Sequence, residues 1–182
     1  MEIVSDSPNE ERKELDALNR FIKIIREQDE RAMVLAFATF IEDTLGRLLV
    51  AYFRDCKATK ELVQGFSAPL GTLGTRIKAT FAFGLVTEEQ YSDMEILRKV
   101  RNKFAHNWEG VSLEQNDIAA LVGQLSGHTF VGTTDAKGKQ RLADTMASCC
   151  VELFLFQARI ESGKSAKAPD VSHRLQGIPR TK

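Results

Sequence analysis

The chain has 182 residues, of which 25 are Lys or Arg and 25 are Asp or Glu, so its formal net charge is zero. A protein that binds nucleic acid mainly through phosphates needs an excess of basic residues, so this balance argues against a dedicated DNA-binding protein. The apolar share of 43 % is typical of a globular protein and excludes wholesale disorder, and the length suits one domain.

The predicted elements are all helices, because apolar residues recur at intervals of three and four along the chain. We expect a flexible lead-in over 1–9, a helical domain over 10–162 and a disordered tail over 163–182. The tail is mildly basic, with five Lys or Arg against one Asp. The helices are predicted over about 9–27, 29–55, 57–63, 73–83, 87–107, 113–125 and 140–161. The sequence therefore predicts an all-α, single-domain bundle of about six to seven helices, joined in part by loops at 65–74 and 127–139.

Two local signals define the boundary between the fourth and fifth helices. Gly84 stands where a glycine with a left-handed backbone commonly ends a helix. Thr87 and Gln90 have the spacing of a capping box, in which each side chain accepts a hydrogen bond from the other residue's backbone amide. We therefore expect the fifth helix to begin directly after Thr87.

The cysteines and histidines do not form a recognisable metal or disulfide pattern. Cys56, Cys149 and Cys150 are odd in number and include no Cys-x-x-Cys pair, and only three histidines are present. Cys149 and Cys150 lie on an apolar helix face, which favours inert core thiols. We expect no metal and no cofactor, and a reduced, cytoplasmic protein without a membrane-spanning segment.

The densest polar cluster of the sequence lies at the end of the fifth predicted helix. Arg98, Asn102 and His106 are four residues apart and share one helix face. Arg101 and His106 are five residues apart and point about 140° away from each other, so they converge only at a frayed helix end or across two subunits. As a ribonuclease site, His106 would transfer a proton, Arg101 would stabilise the charge on the phosphate, and Asn102 would position the phosphate or the imidazole. As a structural cluster, Arg101 and Asn102 would join helices and His106 would cap the helix C-terminus.

A second polar cluster is predicted from the apolar stripe of the second helix. Glu42 lies within that stripe, and Arg31 lies on a neighbouring part of it. A carboxylate that faces a core is costly unless it is paired, so we expect Glu42 to meet Arg98 or Arg101. At this point Glu42 can be either one half of a structural ion pair or a catalytic carboxylate.

Two further features have structural and functional interpretations. Gly71-Thr72-Leu73-Gly74-Thr75 lacks the Gly-Lys-Ser/Thr ending of a phosphate-binding loop and is interpreted as a turn that enters a helix. Phe154 and Phe156 widen the apolar surface of the last helix, which makes them core residues or part of a homodimer face.

Three stretches resemble the mannitol operon repressor family (MltR, also written MtlR). They are DERAMVLAFATFIEDTLGRLL at 29–49, GFSAPLGTLGTRIKATFAFGLVTEEQY at 65–91 and DMEILRKVRNKFAH at 93–106. The resemblance implies an all-α fold, a role in repressing sugar-alcohol uptake genes and no recognised helix-turn-helix DNA-binding domain. It also implies a dimer, or a regulator that works through protein partners.

The short string RNKFAH also resembles the Arg-x4–6-His motif of HEPN domains, helical modules found in many RNases and toxins. That resemblance implies a HEPN-like bundle in which Arg101, Asn102 and His106 line a cleft between two subunits. It implies a metal-independent endoribonuclease or an RNA-binding module.

These observations leave three functional hypotheses. The first is a mannitol-repressor-like regulator that acts indirectly, through a transcription factor, a transport component or a homodimer, without specific DNA binding. The second is the HEPN-type ribonuclease or RNA binder, and the third is a structural dimerisation module.

Overall fold

The computed structural model describes residues 7–65, 67–107, 110–129 and 132–161. Seven helices and one small hairpin form this described part, as α1 Ser7–Glu27, α2 Glu30–Tyr52, α3 Lys57–Val63, α4 Leu73–Ala82, α5 Glu88–His106, α6 Asn116–Gly123, β1 His128–Thr129, β2 Gly132–Thr133 and α7 Gly138–Glu161. The predicted all-α class is confirmed, and α3 has the predicted bounds. Most of the predicted lead-in (residues 1–6) and the whole of the predicted tail lie outside the described residues.

The second helix is the centre of the bundle, because α1, α3, α4, α5 and α7 all pack against it. Its buried side chains cover one broad face of the helix, about 160° wide, while the opposite face is exposed. The side chains with no exposed surface are Met33, Val34, Phe37, Ile41, Leu45, Leu48 and Leu49. An apolar face this broad can contact several helices at once, so α2 is the element on which the others assemble.

The ends of α4 and α5 follow the predicted local signals. Gly84 has a φ of 69°, the left-handed conformation that glycine adopts without a steric penalty. The amide of Thr87 donates to Gln90 Oε1 at 3.0 Å, and the amide of Gln90 donates to Thr87 Oγ1 at 3.2 Å. The capping box is confirmed and fixes the start of α5.

The hairpin is the one element type that periodicity does not predict. It is antiparallel, with His128 paired to Thr133 and Thr129 to Gly132, inside the segment predicted as a loop. Strands of two residues are too short to show an alternating pattern. The hairpin lies against α7 and completes one end of the bundle.

The Arg76 side chain connects α4 to three other segments. Its Nε donates to the carbonyl of Leu70 at 2.9 Å, its Nη1 to the carbonyl of Glu42 at 2.7 Å and its Nη2 to the carbonyl of Val63 at 2.9 Å. The guanidinium approaches the backbone of α2 closely because Gly46 has no side chain there. A Cβ at Gly46 would lie 2.8 Å from both Cζ and Nη1 of Arg76.

None of the helices in the described residues is long and apolar enough to cross a membrane. Phe156 is buried in the core, whereas Phe154 is partly buried at its edge. Phe154 lines an apolar groove of about 500 Å³ between α1, α2 and α7, in which the rings of Phe21 and Phe40 lie 5.3 Å apart.

The contact between Gly46 and Arg76 generates a stability prediction. Gly46→Ala should lower the free energy of unfolding by about 1–3 kcal/mol, because the new methyl group displaces a guanidinium that holds three carbonyls. Urea denaturation measures this change. Gly123→Ala is the matched control, since no atom lies within 4 Å of a Cβ there, and it should be neutral or stabilise by about 0.5–1 kcal/mol. Equal effects of the two substitutions would contradict the role given to Arg76.

Candidate functional site

The C-terminal end of α5 places two of the three predicted ribonuclease residues on one groove. Asn102 and His106 line an open groove of about 450 Å³ together with Val111 and Asp117 from the segment that follows α5. His106 is exposed, so its imidazole is accessible to a ligand. The groove is shallow and faces solvent.

Arg101 does not line this groove within one chain. It is partly buried, and its Nη1 donates to Asn102 Oδ1 at 3.2 Å. Residues five apart point to different sides of a helix, and Arg101 and His106 keep this separation because α5 stays helical up to its end. A site that combines Arg101 of one subunit with His106 of another stays a prediction.

Arg31 performs the capping role that the structural interpretation gave to His106. Its Nη1 donates to the carbonyl of Phe104 at 2.6 Å and its Nη2 to the carbonyl of Asn107 at 2.5 Å. The last carbonyls of a helix lack partners within the helix and carry partial negative charge, so a guanidinium is favourable there. Arg31 thus fixes the end of α5 that carries Asn102 and His106.

The ion pair predicted between Glu42 and Arg98 or Arg101 is not formed. Arg98 instead holds Glu95 with two hydrogen bonds, from Nε to Oε1 at 3.0 Å and from Nη2 to Oε2 at 2.8 Å. Glu42 is only half-buried, so its carboxylate keeps access to water, and its backbone carbonyl is the group that meets an arginine. Arg31 and Glu42 are separated by three turns of α2, about 16 Å along the axis, and do not form one cluster.

The two cysteines of α7 are core residues, as the sequence predicts, and their environment differs from that of Cys56. Cys149 and Cys150 are buried in α7, and burial raises the pKa of the Cys150 thiol. Cys56 is partly exposed at the start of α3, where hydrogen bonds from Thr59 lower the pKa of its thiol. Among the described residues, no group of three or more His, Cys, Asp or Glu side chains is arranged to hold a metal ion.

An exposed aromatic patch is the main surface feature that the sequence reasoning missed. We define it as Tyr52, Phe53, Phe81, Phe83 and Tyr91, at the C-terminal ends of α2 and α4 and the first turns of α5. Phe83 packs edge-on against Phe53 at 5.3 Å and lies 5.9 Å from Tyr52, while Phe81 stacks on Tyr91 at 4.3 Å between ring centroids. Phe81 and Phe83 are nevertheless 39 % and 44 % exposed. The string Phe-Ala-Phe at a helix end was the available signal.

Comparison with known proteins decides the family. A family model described as the mannitol repressor, MtlR, matches residues 18–158, which is most of the chain. The chain belongs to the MtlR family.

Two curated MtlR relatives are mannitol operon repressors of Escherichia coli, from strain K12 and from strain O6:H1 (CFT073). Each is 24 % identical to this chain over 99 residues, which cover 52 % of this chain and 51 % of the relative. The match thus spans about half the length of these relatives.

A solved structure also resembles this MtlR chain. It is the X-ray structure of the MtlR-HPr complex from Escherichia coli, with a TM-score of 0.56 and 18 % identity over 79 % of this chain and 98 % of the solved chain. At this identity the likeness establishes a common fold. The HEPN resemblance stays a prediction.

The pair of Glu95 and Arg98 generates a pH prediction. The Arg98 hydrogen bonds lower the pKa of the Glu95 carboxyl, and the two side chains are only 15 % and 30 % exposed. A carboxyl whose pKa is lowered by folding stabilises the fold above its unfolded pKa, and this contribution is lost as the pH falls through the folded pKa. Glu95→Gln should therefore cost about 0.5–1 kcal/mol at about pH 7 and close to nothing below about pH 3.

Urea unfolding at the two pH values measures this difference. The control is Glu61→Gln, which removes the exposed partner of Lys57 at a distance of 3.2 Å and should change the stability by less than about 0.5 kcal/mol. A loss for Glu95→Gln that is the same at both pH values would show that Glu95 acts by packing and not by charge.

Proposed function

We propose that this chain is a transcriptional regulator of the mannitol-repressor type that acts through a protein partner, and not by reading operator DNA itself. The observation that carries the proposal is the fold that the chain shares with an MtlR protein crystallised in complex with HPr. Membership of the MtlR family over residues 18–158 supports the regulatory role. HPr, or a protein that presents a similar surface, is the partner we propose.

The charges on α5 support an indirect mode of action. A helix that reads DNA presents several unpaired basic side chains to phosphates and bases. On α5, Arg98 is neutralised by Glu95, and Lys103 by Asp117 at 2.6 Å. Two of the four Lys and Arg side chains of α5 are thus paired with acids, which reduces the positive charge that the helix offers to a phosphate backbone.

The aromatic patch is the surface that we propose for the partner. Aromatic residues are enriched at protein interfaces, and large apolar groups that stay exposed together commonly mark such contacts. Phe81 and Phe83 flank the end of α4, and each is held in place by a ring beside it. Rings that are already ordered lose little side-chain entropy when a partner covers them.

Substitution in the patch tests this proposal. Phe81→Ser and Phe83→Ser should each weaken HPr binding, measured by isothermal titration calorimetry, by about tenfold or more, as expected for aromatic residues central to an interface. The matched control is Ile24→Ser on α1, where Ile24 is 58 % exposed and lies outside the patch. This control should bind like the wild type.

Two results would contradict the proposal. The patch is not the contact surface if both variants bind HPr as tightly as Ile24→Ser. The indirect mechanism fails if the protein alone retains operator DNA more than about 10³-fold better than random DNA at physiological salt.

A second candidate function is a HEPN-type, metal-independent ribonuclease or RNA-binding module. The exposed His106 and the partly buried Asn102 line one open groove, which favours this function, since histidine side chains commonly transfer protons to and from bound substrates. In this mechanism the RNA 2′-oxygen bonds to the adjacent phosphorus, the bond from phosphorus to the 5′-oxygen breaks, and His106 passes the 2′-hydroxyl proton on to the leaving 5′-oxygen. Arg101 would come from a second subunit.

Incubation of labelled RNA in EDTA tests this second function. If His106 is catalytic, the wild type leaves 2′,3′-cyclic phosphate ends and His106→Ala loses the activity by about 10²-fold or more. Gln115→Ala, which changes the same groove without removing a proton carrier, should remain active. Identical traces for wild type and His106→Ala would exclude the enzyme, and a strict monomer in sedimentation would exclude both the two-subunit site and the dimerisation module.

A further inference from the structure

The groove of about 500 Å³ between α1, α2 and α7 is lined by one face of each of two helices. We call it the three-helix groove. Its α1 residues lie three, four and seven positions apart, from Glu14 to Phe21, and its α7 residues repeat this spacing from Phe154 to Glu161. Each set is therefore a single helix face about 10 Å long, to which α2 adds Phe40 and Arg47. A groove of this form is the kind that accepts a further amphipathic segment.

The groove has an apolar end and a charged end. Three partly exposed rings form the apolar end: Phe21, Phe40 and Phe154. Helices α1 and α2 are antiparallel, because only two residues connect them, so seven positions from the ring contact lead to Glu14 on α1 and to Arg47 on α2 at the other end. Glu161 lies at that charged end too, since it lines a neighbouring cavity together with Arg47.

The charged end carries an excess of carboxylates. Arg47 is already paired with Asp43 at 2.8 Å. Among the described residues, neither Glu14 nor Glu161 forms an ion pair with a Lys or Arg side chain. Glu161 is also the last residue of α7, where the helix itself carries partial negative charge. The groove therefore suits a segment that is basic in one part and apolar in the next.

The sequence directly after Glu161, which lies outside the described residues, has these two properties in this order. Two basic residues come first and three apolar residues follow: Lys164 and Lys167, then Val171, Leu175 and Ile178. The three apolar residues are four and three positions apart, a spacing that places side chains on one face of a helix. Pro169 and Gly177 stand on either side of this stretch, where Pro commonly begins a helix and Gly commonly ends one.

The connection is long enough for this segment to return to the groove. Ten residues lead from Glu161 to Val171, and an extended chain spans about 33 Å over that number. The groove requires only about 10 Å along α7. The basic residues then stay near the charged end while the apolar residues reach the rings. A segment whose composition predicts disorder in isolation orders when it buries apolar side chains on binding.

We propose that residues 164–178 bind in the three-helix groove of their own chain. The two lysines lie against the carboxylates of the charged end, and the three apolar side chains cover the rings of the apolar end. The groove is then closed to a second copy, so Phe154 does not serve as a homodimer face while the segment is bound. The proposal rests on the groove and on the sequence after Glu161, and it is independent of the partner proposed for the aromatic patch.

Nuclear Overhauser effects in the full chain test the proposal. We expect contacts between the Val171 methyl groups and the ring protons of Phe21 or Phe154, and these contacts should persist on dilution because they form within one chain. Leu175→Ser should abolish the Val171 contacts, since it removes apolar surface from the segment while it changes no residue of the described core. The matched control is Leu62→Ser on α3, where Leu62 is 41 % exposed and does not line the groove. It should leave the Val171 contacts in place.

Titration with a peptide of residues 162–182 measures the competition directly. The Leu175→Ser chain should bind this peptide saturably, and the wild-type and Leu62→Ser chains should bind it at least about tenfold more weakly, because their own segment competes at a high effective concentration.

Three results would overturn the proposal. They are the absence of Val171 contacts with the rings, contacts that form only between differently labelled copies, and equal affinity of the peptide for the wild-type and Leu175→Ser chains. Contacts between copies would identify a second copy as the occupant of the groove. HPr binding by the same samples is measured separately, so failure of this inference leaves the partner proposal standing.

Discussion

The guanidinium of Arg76 is the contact on which the arrangement of α2, α3 and α4 depends. It holds carbonyl groups of α2, of the end of α3 and of the loop before α4, which lie 34, 13 and 6 residues before Arg76. Backbone carbonyls that are turned away from water must find donors, and one planar side chain supplies three of them here. This close approach is open only because residue 46 is a glycine. The missing side chain at Gly46 thus leaves room for Arg76 to connect α2 to the α3–α4 segment.

Features that depend on neighbours along the chain could be predicted from the sequence. The capping box at Thr87 and Gln90, the left-handed Gly84 and the bounds of α3 need only a few adjacent residues. The hairpin could not be predicted, because two paired residues per strand show no periodicity. The ion pair predicted for the Glu42 carboxylate is not formed, and Glu42 meets Arg76 only through its backbone carbonyl, since distant pairing is set by packing and not by spacing.

The candidate site shows the same division between local and distant contacts. Helical spacing was sufficient to place Asn102 and His106 together and to separate Arg101 from His106. The spacing gave no sign that Arg31, 73 residues before Phe104, would hold the end of this helix. It also does not show that the ends of α2 and α4 meet the start of α5 to form the aromatic patch. Surfaces built from several elements become visible only when the fold is known.

The contacts at the N-terminal end of α5 limit which residues can occupy position 90. The Gln90 amide oxygen accepts from Thr87, and its amide nitrogen donates to the buried carboxylate of Glu152 at 2.9 Å. Glutamate serves equally well as glutamine in an isolated capping box. Here it would place two carboxylates against each other inside the protein, with His128 as a neighbour of Glu152 at 2.8 Å. A choice that helix capping alone leaves open is thus decided by a residue 62 positions later.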